Sequence, residues 1–76
     1  MPKLPLVSSK QAIKVFQKLN YKVVRQKGSH IRMHHLFDKT KSPLTIPKHR
    51  VIGRGLLRKL MRDAKTTPED FNKLLK

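Results

Sequence analysis

The sequence predicts an α+β fold in which one helix is followed by three antiparallel strands, a second helix and a short third one. Three observations carry that prediction. Apolar residues recur at helical spacing over 12–19 and again over 56–64, they alternate at a period of two between 21 and 37, and Asn, Gly and Pro punctuate the boundaries. A chain of 76 residues has room for one domain, so residues 1–76 are expected to share a single thin core.

Ser8-Ser9-Lys10-Gln11 is a capping-box pattern, with the Ser8 hydroxyl accepting from the N3 amide and Gln11 reaching back. Val7 and Ala12 are spaced as a hydrophobic staple across that start. In the helix that follows, Ala12, Ile13, Phe16 and Leu19 form one apolar stripe, while Lys10, Lys14, Gln17 and Lys18 face water. Asn20 suits a left-handed stop.

Tyr21, Val23 and Val24 belong to a strand reaching Gln26, and Lys27-Gly28 is expected to turn the chain, with Gly28 free to take positive φ. The next strand runs from Ser29 to Phe37. Ile31, Met33, His35 and Phe37 project from one face and should meet the helices, which leaves His30, Arg32 and His34 on the uncovered side. Asp38 to Ser42 is a polar turn, and Pro43 to Pro47 is a short edge strand flanked by prolines.

Lys48 to Arg54 reads as a basic loop, with Gly53 and Gly55 a flexible entry to the second helix. Leu56, Leu57, Leu60, Met61 and Ala64 make the second stripe, and Arg58, Lys59, Arg62 and Lys65 lie outside it. Thr67-Pro68-Glu69-Asp70 announces the last helix: an N-cap, a proline at N1 and acids in the first turn. Phe71, Leu74 and Leu75 then pack back.

Lys and Arg number 19 against 4 Asp and Glu, a formal net charge of +15. Self-repulsion on that scale points to a polyanionic partner, nucleic acid first. There is no cysteine, which excludes disulfides and thiolate metal sites, and four scattered histidines make a zinc site a poor reading. Met1 to Pro5 lacks the apolar run of a signal peptide, and no stretch approaches the roughly 20 apolar residues of a membrane span, so a cytoplasmic protein is expected.

The chemistry concentrates at Arg25-Gln26-Lys27-Gly28-Ser29-His30. A glycine turn allows close approach of a strand of RNA, and His30, Arg32 and His34 would line the same open face as Lys27. A neutral imidazole beside a ribose 2′-hydroxyl can take its proton, after which the alkoxide attacks the adjacent phosphorus to give a 2′,3′-cyclic phosphate and a free 5′-hydroxyl. No metal or cofactor is needed for that reaction. Lys27 and Arg32 are placed to stabilise charge on the phosphorane. His34, a lysine or water could supply the leaving oxygen with its proton. The expected site is thus His30 as catalytic base, with Lys27, Gly28, Ser29, Arg32 and His34 contacting RNA. A non-catalytic RNA-binding module and a basic ribosome-associated protein are the competing readings; of the three, only the cleaving enzyme depends on His30.

The run Tyr21 to His30, the later Ile46-Pro47-Lys48-His49, and Gly55 to Ala64 followed by Pro68-Glu69-Asp70-Phe71 resemble the HicA family of bacterial and archaeal toxins. That resemblance implies a fold like the double-stranded-RNA-binding domain, with helices on one face of a three-stranded sheet. It also implies an mRNA interferase that halts translation and whose functional histidine, after Gly-Ser, corresponds to His30. An acidic HicB-like antitoxin covering the active face is implied as well, with any DNA contact made through the antitoxin complex that regulates the operon. Two segments depart from the family pattern. Ala64-Lys65-Thr66 stands where a glycine often ends the second helix, and Arg54-Gly55-Leu56-Leu57 replaces the commoner Gly-Thr-Leu.

Overall fold

The computed structural model describes residues 4–75, so the sequence reading of Met1 to Pro5 lies partly outside the described residues. The element order is α1 (Ser9–Lys18), β1 (Tyr21–Lys27), β2 (His30–His35), β3 (Leu44–Pro47), α2 (Arg54–Asp63) and α3 (Pro68–Leu75). The strands form an antiparallel sheet in the order β1-β2-β3, giving the α+β architecture that the spacing predicts.

Each local signal has its structural counterpart at the start of α1. The Gln11 amide donates to the Ser8 hydroxyl at 3.1 Å, and the Ser8 amide donates to Gln11 Oε1 at 2.9 Å, completing the capping box. Val7 and Ala12 are both buried, and Val7 also forms a backbone bridge with Ile52 that ties the amino-terminal segment to the approach of α2. Ala12 and Phe16 are fully buried, as is Val15, which the predicted stripe did not include. Asn20 takes φ of 71° and ends the helix in the left-handed region.

The second helix stops in an unexpected way. Lys65 adopts φ of 54°, the Thr66 amide donates to the Met61 carbonyl at 2.9 Å, and the Lys65 amide donates to the Arg62 carbonyl at 3.1 Å. These are the two bonds of a Schellman ending, with lysine at the position that glycine prefers. The basic loop is also shorter than expected, because Gly53 is the N-cap and Arg54 and Gly55 already belong to α2.

Ile31 and Met33 of β2 and Leu44 and Ile46 of β3 point into one buried cluster with Phe16, Tyr21, Leu57, Leu60, Met61 and Phe71. Phe16 sits at its centre, with ring centroids 6.1 Å from Tyr21 and 5.7 Å from Phe71. The Asp70 amide donates to the Thr67 hydroxyl at 3.1 Å, so α3 is capped as its sequence announces. The expected core position of Phe37 is overturned: β2 ends at His35, and Phe37 is 77% exposed. His35 causes the turn, since its Nδ1 accepts from the amides of Phe37 at 3.1 Å and Asp38 at 2.8 Å and bends the chain away from the sheet. Among the described residues no helix is long and apolar enough to cross a membrane.

Candidate functional site

The face of the sheet turned away from the core is built by register. Opposed residues of an antiparallel pair share a face. Lys27 stands opposite His30, Arg25 opposite Arg32 and Lys22 opposite His34 on the β1 side, while Thr45 stands opposite Arg32 and Pro47 opposite His30 on the β3 side. Since Ile31 and Met33 are buried, this whole set faces solvent on the other side.

Simple alternation along β1 would put Arg25 and Lys27 on the same side as Tyr21 and Val23, against the core. They are exposed because the register shifts between Val23 and Arg25. Val24 is the extra residue, a bulge that moves everything after it to the opposite face. The hairpin loop then consists of Gly28 and Ser29, one residue later than the expected Lys27-Gly28, and Gly28 takes φ of 57° there. The Lys48 amide donates to the Ser29 carbonyl at 2.7 Å and pins that loop to the end of β3.

Arg25, Lys27, His30, Arg32 and Thr45 together line an open depression of about 410 Å³. The structure therefore brings His30, Lys27 and Arg32 into one place and adds two residues not among the expected contacts, Thr45 and Arg25, the latter from the basic run that the sequence singles out. Thr45 could have been found from the alternation of Leu44, Thr45 and Ile46, whereas simple alternation puts Arg25 on the core side. The Arg32 guanidinium donates to the Thr45 hydroxyl at 2.7 Å.

His34 is not brought to His30. Four residues along a strand rising about 3.3 Å each separate them by about 13 Å. His34 lines a second depression, with Asp38, Lys39 and Lys41. There the Thr40 hydroxyl and amide donate to Asp38 at 2.6 and 2.9 Å and hold its carboxyl below the ordinary value. His35 lies on the core side, its ring 5.1 Å from Tyr21. Among the described residues no three His, Cys, Asp or Glu side chains come together as metal ligands.

The four carboxylates of the chain stand away from the His30 depression: Asp38 in the turn after β2, Asp63 at the end of α2, and Glu69 and Asp70 in the first turn of α3. The depression is a cationic, solvent-open surface carrying one imidazole, that of His30. Residues 9–66 match the family model described as HicA toxin of bacterial toxin-antitoxin systems. No curated protein and no solved structure gives a match.

Proposed function

Because this chain belongs to the HicA toxin family, we propose that it is an endoribonuclease toxin whose cleaving face is the uncovered side of the sheet, with His30 as general base. One observation carries the reading: His30 shares a single open depression with Lys27, its cross-strand partner, and with Arg32, and no carboxylate lines it. In the proposed reaction His30 takes the proton of a ribose 2′-hydroxyl. The O2′–P bond forms, the P–O5′ bond breaks, and a 2′,3′-cyclic phosphate and a 5′-hydroxyl result. Lys27, directly opposite His30, holds the charge that gathers on the phosphorane oxygens, and Arg32 holds the RNA backbone beside it. The departing 5′-oxygen is protonated by Lys27 or water, since His34 is too distant to serve the same phosphate.

Gly28 and Ser29 contribute backbone rather than side chains, forming the low rim over which a strand of RNA reaches His30. The partner that restrains such an activity is an acidic, HicB-like antitoxin lying across the same face, and mRNA is the substrate.

The test is incubation of wild-type and His30→Ala protein with a defined mRNA in EDTA, mapping product ends and measuring RNA binding in parallel. Cyclic-phosphate ends from wild type alone, with binding retained in the variant, are expected. Equal binding with no cleavage by either protein would make this a non-catalytic RNA-binding module.

A further inference from the structure

We propose that Arg25, Arg32 and Thr45 form a clamp for one phosphate group next to the His30 position, with Thr45 a positioning residue for the Arg32 guanidinium. The inference rests on the RNA-cleaving reading only for the identity of the strand that carries the phosphate. Like charges directly opposite one another on a sheet destabilise it. Arg25 and Arg32 are such a pair, and the ion pair shown among the described residues, Lys59 with Asp63, is on α2. Lys27 beside His30 adds to the same field, with no carboxylate lining this depression to offset it. A bound phosphate removes the repulsion.

The arrangement is built rather than incidental. Arg25 reaches this face through the Val24 bulge, a device that re-aims side chains and departs from the regular ladder to do so. Arg32 is not a free-swinging cation, because one Nη1 hydrogen is given to the Thr45 hydroxyl at 2.7 Å. That bond fixes the plane of the fork and leaves its other N–H groups for an anion. An arginine held in one geometry loses less freedom on binding than a loose one. The Arg25 and Arg32 pair lies two residues, roughly 7 Å, along the strands from the Lys27 and His30 pair, so the clamp holds a phosphate adjoining the one cleaved and sets which bond His30 meets.

Unfolding temperatures of the full chain are measured in sodium chloride and in inorganic phosphate at equal ionic strength, for wild type, Arg25→Gln, Thr45→Val and Thr45→Ser. Phosphate should raise the wild-type midpoint above that in chloride, and the increment should vanish in Arg25→Gln, shrink in Thr45→Val and return in Thr45→Ser. An equal increment in wild type and Arg25→Gln, or none in wild type, overturns the clamp. A second arm uses RNA fully 2′-O-methylated so that it cannot be cleaved. Arg25→Gln should bind it roughly tenfold more weakly and with a salt slope smaller by about one ion. Unchanged affinity and slope would mean that the site takes free phosphate and not a strand, which also overturns the proposal. In cleavage, Thr45→Val should raise KM more than it lowers kcat, and Thr45→Ser should restore KM. These binding readouts need no turnover, so loss of the ribonuclease reading leaves the clamp separately testable.

Discussion

Tyr21 donates its phenolic hydrogen to the Ser42 carbonyl at 2.8 Å, and the Ser42 amide in turn donates to the Asp63 carbonyl at 3.1 Å. One side chain at the head of β1 thereby ties the polar turn to the end of α2. Removing that hydroxyl in Tyr21→Phe keeps the buried ring and loses the bond, which is expected to cost about 1 kcal/mol and lower the unfolding midpoint by roughly 4–8 °C. Burial, followed by the charges of Asp63 and Asp38, holds the Tyr21 phenol above its ordinary value of 10.0. The unfolded chain therefore releases this proton at lower pH than the folded one, so the contribution is whole below about pH 10 and is lost as pH rises through the folded value. Denaturant titrations from pH 8 to 11 should show an alkaline loss in wild type that is smaller in Tyr21→Phe; identical slopes would exclude Tyr21 as its source.

Lys65 takes the left-handed conformation that closes α2, where an L side chain is strained by roughly 1–2 kcal/mol. Lys65→Gly should stabilise the protein by about 0.5–1 kcal/mol, since glycine also gains freedom in the unfolded chain. A midpoint that falls on this substitution would show that the Lys65 ammonium, 3.3 Å from the Thr40 hydroxyl, contributes more than the strain removes.

His34 shares a face with His30 but stands about 13 Å along β2. His34→Ala is accordingly expected to keep the cleavage rate within a few-fold of wild type, whereas His30→Ala should lose it by roughly 100-fold or more, the range of a positioned general base. Single-turnover rates at saturating RNA make the comparison, and equal losses would assign His34 the acid role.

Arg32 lies at the middle of the exposed face, paired on both sides across the sheet. An acidic antitoxin seated there should bind Arg32→Glu more weakly, with most of the change in a slower association and a flatter salt dependence. Surface plasmon resonance of the complex tests this; unaltered affinity would move the antitoxin to another surface.

Helix starts and stripes were legible because their signals are local. Ser8 and Gln11 cap one another within a single turn, and the 3.6-residue spacing of Leu57, Leu60 and Ala64 needs no knowledge of a partner. The same is true of His30 and Arg32, whose exposure follows from the burial of Ile31 and Met33 between and beyond them. Arg25 was hidden because a bulge is a property of two strands in register, and nothing in Val23-Val24-Arg25 alone says which residue is extra. Phe37 failed for a related reason. Alternation predicts a strand running past His35, while the imidazole there captures the next amides and ends it.

β1 is also an outer strand, seven residues long, with one side of its backbone unpaired in the sheet. A straight edge of that length is a template for another chain, the route by which small β-containing proteins stack into fibres. The extra residue at Val24 breaks the even rhythm of N–H and C=O groups between Tyr21–Val23 and Arg25–Lys27, and Lys22, Arg25 and Lys27 repel an identical strand. A second copy thus finds no continuous ladder to extend. Straightening β1 by one residue would cost the chain more than an arginine on its working face: it would open the molecule to strand-by-strand aggregation.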